Sequence, residues 1–269
     1  MKSKLRFVTF LAPNMLGVYR FVARYVGRKL GCATELRVGS YYEQLAAEVD
    51  VGFVCGLPYV EFTRRQTFLS IEPIAAPVLH GERYGDKPIY FSDVIVHRDS
   101  VFSSFADLRG CTWSYNERQS QSGYGIVSYH LACLGETSGY FGRTVKAGFH
   151  EHSIRLVAAG EVDASSIDSG VLAIALRDFP ELAASVRVID GLGPSTIQPV
   201  IVARRLPAQL RADLQSVFLE MGSDHEARAV LARGFIERFV PVSDGSYDDI
   251  RAMRDVAESV QCLGRRREP

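Results

Sequence analysis

The chain has 269 residues, 47% of them hydrophobic, and its 31 Lys and Arg offset its 31 Asp and Glu. That length buries a core of ordinary size, in one large domain or two smaller ones. The charge balance removes the global positive field that draws a protein onto nucleic acid, and no run approaches 18 uncharged apolar residues, so membrane insertion is excluded as well.

The start "MKSK" has the basic character of a signal peptide, but "LRFVTFLAP" carries Arg6 inside the apolar stretch and reads as a first core strand. Asn14 is placed to cap a helix whose apolar positions Met15, Tyr19, Val22, Val26 and Leu30 recur at helical spacing, with Gly31 as its stop. "TELRVGS" reads as a strand, "YYEQLAAEV" as a short helix and "VGFVCG" as a strand buried on both faces. "HGERYGDKP" then leads into a long strand, "IYFSDVIVHR".

From residue 104 a second alternating series begins: "SSFADLRG" helical, "CTWSYN" a strand, then a helix with the stripe Tyr124, Val127, Leu131 and Leu134 that ends at Gly135. "RTVKAG" (strand), "EHSIRLVAA" (helix), "VDASSID" (strand) and "GVLAIALRDF" (helix) follow, and "GLGPSTIQPVIVAR" reads as a loop and then a strand. From 207 the chain is helix-rich, with Pro207 at a first helical position and "YDDIRAMRDVAESV" as the last helix. The extended segments flanking the middle series favour an inserted lobe entered and left by two crossings; two domains in tandem are the alternative. Cys32, Cys55, Cys111, Cys133 and Cys262 are odd in number and form neither CxxC nor zinc spacing, so they read as mostly buried thiols, and "GRRREP" reads as a solvated basic end.

Three places carry chemistry. "SQSGYG" lies between a strand and a helix, where free backbone N–H groups and the positive end of the helix dipole favour an anion. Ser120 and Ser122 add hydroxyls there and Gly123 admits close approach, although Ser122 as a plain helix cap fits the residues equally well. His150 and His152 of "AGFHEHSIRLVAAG" precede another helix and offer a donor, whereas a metal would need ligands that this spacing does not supply. Tyr59, at a strand end, and Tyr90, at a strand beginning, are each either core or cleft wall. A triad of Ser122, His150 and Asp168 lacks the G-x-S-x-G elbow, and "GLGPST" lacks a dinucleotide fingerprint, so no enzyme and no cofactor is indicated.

In this order and at these separations, "YFSDVIVHRDS", "FADLRG", "NERQSQSGYG", "KAGFHEHSI", "AAGEVDASSID" and "QPVIVARRLP" resemble the phosphonate-, phosphite- and phosphate-binding proteins of ABC importers, the PhnD-like family. The resemblance spans nearly the whole chain. It implies an α/β, two-lobed type II periplasmic-binding fold, each lobe a mixed sheet flanked by helices, the two joined by two hinge strands: residues 1–91 with 198–269, and 92–197 inserted. It further implies a monomeric, non-enzymatic partner of an ABC permease that closes on a small anion in the cleft between the lobes, periplasmic if a signal peptide has been removed. A cytoplasmic sensor or enzyme of the same fold is the alternative. The ligand residues it implies are Tyr59, Tyr90, Ser120, Gln121, Ser122 and His150, and Gly123, Asp168 and Gln198 complete the candidate set. Gln121 departs from the family's hydroxyl triplet. Gly170 and Gln198 stand where aminophosphonate binders carry acids, and Asp168 either substitutes for one of those acids or caps the next helix.

Overall fold

A computed structural model describes residues 4–46, 49–64, 70–136 and 139–260. Cys262 and the basic tail lie outside the described residues. In chain order the first elements are β1 (Leu5–Thr9), α1 (Leu16–Leu30), β2 (Thr34–Val38), β3 (Val51–Phe53), α2 (Gly56–Arg64), β4 (Ile71–Leu79), β5 (Ile89–His97), β6 (Thr112–Tyr115), α3 (Ile126–Cys133) and β7 (Arg143–Lys146). They are followed by α4 (His150–Ala158), β8 (Ala164–Asp168), α5 (Ser169–Asp178), α6 (Pro180–Ser185), β9 (Val186–Thr196), β10 (Val200–Ala203), α7 (Ala208–Glu220), α8 (His225–Leu231), β11 (Ile236–Pro241) and α9 (Asp248–Val260).

The described residues form two compact units, one from those up to Ile89 with Thr196–Asp248, the other from Tyr90–Ser195 with those from Asp249 on. The backbone therefore passes from one unit to the other three times. The expected lobes, 1–91 with 198–269 and 92–197, differ from this chiefly at α9, which packs with the second unit. Met253 of α9 meets the Gln121 side chain there.

The first unit is built on a six-stranded sheet in the order β11-β4-β10-β3-β1-β2. β1 runs parallel to β2 and β3, whereas β10 is antiparallel to both β3 and β4, giving a mixed sheet. The buried side of α1, from Val18 to Val26, covers it, and Gly31 ends that helix in the left-handed region at φ 61°. Asn14 does not cap α1: it lies inside a 3-10 turn, Pro13–Met15, opened by the fixed φ of Pro13. Asp50 ties the unit together. Its carboxylate accepts from the Arg6 amide at 2.8 Å and from Arg205 Nη1 at 2.6 Å. Burial alone would raise the Asp50 pKa, but the hydrogen bonds from Arg6 and Arg205 outweigh it and hold the group below its ordinary value.

The second unit carries a five-stranded mixed sheet, β7-β6-β8-β5-β9, with β6 parallel to β7 and β8 and β5 antiparallel to β8. Trp113 of β6 stacks on Phe141, ring centroids 4.5 Å apart, and meets Phe105 edge-on, forming an aromatic core at one side of the sheet. β8 is buried at all five residues, yet two of them are Ser165 and Ser166. Among the described cysteines only Cys111 is buried; Cys32 and Cys55 are half-buried and Cys133 is exposed.

Candidate ligand-binding site

The site is assembled in the second unit, where β6 leads through a loop into a π-helical turn, Gln121–Gly125, and then α3. Ser120 is the cap: its backbone is extended, and its hydroxyl oxygen accepts from the Gly123 amide at 3.0 Å. Ser122, read from sequence as a possible cap, does something else. Its hydroxyl lies 2.9 Å from His150 Nε2, and its carbonyl accepts from two serine hydroxyls, Ser92 of β5 at 2.6 Å and Ser166 of β8 at 3.1 Å. Its amide has no acceptor among the described residues. With the carbonyl pinned into the sheet from two strands, the amide and hydroxyl of Ser122 hold a fixed direction at the positive pole of a helix.

His150 is the first residue of α4 and is 7% exposed. Burial lowers its imidazole from the ordinary 6.5 to about 4, so at neutral pH it is an uncharged ring. Its neighbour His152 is exposed, with Nδ1 2.8 Å from the Ala147 carbonyl, a loop contact outside the Ser122 cluster. Asn116 ends the strand side of the loop and is 8% exposed. A Cβ on Gly123 would stand 2.0 Å from Asn116 Oδ1 and 3.3 Å from His150 Cε1, so only glycine fits between them. Glu117, on the same loop, has its carboxyl pKa raised by burial, which outweighs the pull of Lys146.

The remaining sequence candidates divide. Tyr90 is the second residue of β5, 1% exposed, and the two-residue period of a strand puts it on the face of Ser92. The Gln121 amide nitrogen donates to Ser195 Oγ at 3.2 Å and to Met253 Sδ at 3.5 Å. Asp168 caps α5: its Oδ1 accepts from the amides of Gly170 at 2.8 Å and Val171 at 3.1 Å. Tyr59 and Gln198 belong to the first unit. Tyr59 lies within helix α2 instead of at a strand end, fully buried, with its hydroxyl on Asp244 Oδ1 at 2.6 Å and its ring edge-on to Tyr247. Sequence reasoning passed over Ser92, Asn116, Ser166 and Ser195. The available signal, for Ser92 and Ser166, was a hydroxyl placed inside a buried strand, as in "IYFSDVIV" and "DASSID".

Among the described residues no group of three or more His, Cys, Asp or Glu is placed to hold a metal ion, and no helix is long and apolar enough to cross a membrane. The family model of the phosphonate periplasmic substrate-binding proteins of ABC transporters matches residues 10–247. The chain belongs to that family. Solved structures similar to it include a binding protein component of an ABC phosphonate transporter from Pseudomonas aeruginosa, at 19% identity and TM-score 0.83 over 97% of this chain and 88% of that one. PhnD1 from Prochlorococcus marinus in complex with methylphosphonate is similar at 16% identity and TM-score 0.81, over 96% and 99% of the two chains. A Xanthomonas citri protein bound to ATP follows at 19% identity and TM-score 0.67, over 97% and 98%. These likenesses show the fold: two mixed sheets flanked by helices, the type II periplasmic-binding architecture expected from the resemblance.

Proposed function

We propose that this member of the family captures a small phosphonate of the methylphosphonate class in the periplasm, as a monomer without catalysis, and delivers it to an ABC permease. The observation that carries the reading is Ser122. One residue has its carbonyl held by two strands, its hydroxyl on a neutral histidine and its amide without an acceptor among the described residues, at a helix mouth. A tetrahedral anion has three or four acceptor oxygens, and neutral donors that converge on it supply about 1.5–3 kcal/mol per bond to a charged partner. Ser120, Ser122, His150 and the Gly123 backbone form that donor set. Asp168 is engaged as a helix cap, which favours a plain phosphonate over one carrying an ammonium group. Tyr59, Tyr90 and Gln198 enter as further ligand contacts on the strength of the resemblance.

Calorimetric titration with methylphosphonate, aminoethylphosphonate, phosphite, phosphate and sulfate tests the reading. Methylphosphonate is expected to bind more tightly than aminoethylphosphonate and sulfate, and Ser122→Ala to weaken it by about tenfold or more, the worth of one charge-assisted bond. An unchanged dissociation constant in Ser122→Ala would sink the loop assignment.

A further inference from the structure

Gln121 stands where the family resemblance leads one to expect a small hydroxyl residue beside the ligand, and its side chain is 1% exposed. Its amide nitrogen carries two hydrogens and has two acceptors, Ser195 Oγ and Met253 Sδ. The places it reaches are particular. Ser195 is the last residue before the chain leaves the second unit, and Met253 lies just after the chain returns to it at Asp249. The loop also holds the remaining passage, at Ile89/Tyr90, because Ser92 donates to the Ser122 carbonyl at 2.6 Å.

The three passages are also bonded to one another. The Ile197 amide donates to the Pro88 carbonyl at 2.9 Å, joining the first passage to the second. Thr196 Oγ1 donates to the Ser246 carbonyl at 2.9 Å, joining the second to the third. A chain of hydrogen bonds therefore runs from the Ser122 peptide to every point at which the backbone changes unit, and two of its links leave through one amide.

We propose that Gln121 is a positioning residue that couples the occupancy of the Ser120–Gly123 loop to the three passages of the chain, instead of serving as a ligand contact. A larger amide at this place gives up a short hydroxyl donor to the ligand and gains a reach to Ser195 and α9 that a hydroxyl residue lacks. An anion that fixes the Ser122 amide and hydroxyl also fixes the peptide from which Gln121 extends. Coupling follows if that ordering is passed on through the amide to residues 193–196 and 249–253. This inference rests on the ligand reading above.

The test is hydrogen exchange of the full chain with and without methylphosphonate, alongside calorimetry, on the wild type, Gln121→Thr and Ser195→Ala. In the wild type, methylphosphonate is expected to slow exchange both in the loop and at the passages. In Gln121→Thr the dissociation constant stays within about threefold and the loop protection persists, while ligand-induced protection at 193–196 and 249–253 falls about fivefold, the worth of one ordinary hydrogen bond. Ser195→Ala, which leaves Gln121 in place and deletes one acceptor, reproduces the loss at 193–196 and decides the matter should Gln121→Thr not fold. Passage protection that remains at the wild-type level in the folded variants overturns the inference alone. So does an affinity loss beyond tenfold in Gln121→Thr with none in Ser195→Ala, which would make Gln121 a ligand contact. A wild-type protein that takes neither methylphosphonate nor phosphate overturns the ligand reading, and this inference with it.

Discussion

A methyl group at Gly123 would stand 2.0 Å from Asn116 Oδ1, so Gly123→Ala must push the loop or the Asn116 side chain aside. The expected cost is that of overpacking, about 1–3 kcal/mol by denaturant unfolding, with methylphosphonate affinity lost alongside. Adding Asn116→Ala should return part of both, because it removes the atom in the way. His150 gives a prediction with a sign. Burial lowers its folded pKa to about 4, so as pH falls the unfolded chain takes up the proton first. The stability is present above about pH 6.5 and drains between there and about pH 4, at up to about 1.4 kcal/mol per unit. Unfolding curves at pH 7 and 4.5 should therefore show the wild type losing about 2 kcal/mol more than His150→Gln. Residue types at a strand-to-helix junction made Ser120, Ser122, Gly123 and His150 legible from sequence. What was not legible was which atom of each residue is used. Ser120 and Ser122 differ in role only because Ser92 and Ser166, far away in the chain, take the Ser122 carbonyl.

Helix α5 begins on Asp168, whose carboxylate accepts from two amides of the first turn. Asp168→Ala should cost about 1 kcal/mol, as the loss of a cap does, whereas Asp168→Asn keeps an acceptor and should stay near the wild type, with methylphosphonate affinity unchanged in both. An affinity loss in Asp168→Asn would return this residue to the ligand. Ser92 and Ser166 act on one carbonyl from two strands, so Ser92→Ala and Ser166→Ala should be non-additive in a double-mutant cycle followed by unfolding. Alternating strand and helix patterns made the middle series readable because each of its elements is short and closed by Gly or a polar turn. β4 escaped notice for a physical reason. Pro73 and Pro77 argue against a strand paired on both sides, yet β4 lies between β10 and β11 and tolerates Pro73 beside Ile201, where the β10 register shifts. β11 was hidden in a stretch dominated by helical spacing, and β9 extends through "GLGPST", which its glycines and proline mark as a loop.

For the molecule as a whole, a ligand that binds only the folded chain must raise its unfolding temperature with concentration. At a hundred times the dissociation constant methylphosphonate should add about 2.7 kcal/mol, and Ser122→Ala should shift the curve to higher ligand concentration without removing the folded state. What was visible in the sequence was the pair of extended segments around the middle series, from which an inserted lobe is expected. The third passage was not, since nothing in the pattern of "YDDIRAMRDVAESV" says which unit its apolar stripe meets. That interleaving bears on how the molecule is made. β10 sits between β3 and β4 in the first sheet, but synthesis delivers it only after the whole of Tyr90–Ser195. Until then β3 and β4 stand as open strand edges, the kind of surface that invites mispairing. The second unit waits in turn for α9, made after every other described element. The first unit is complete only once Asp248 has been made and the second only once α9 has, so the order of synthesis offers no finished domain on which the other can be built.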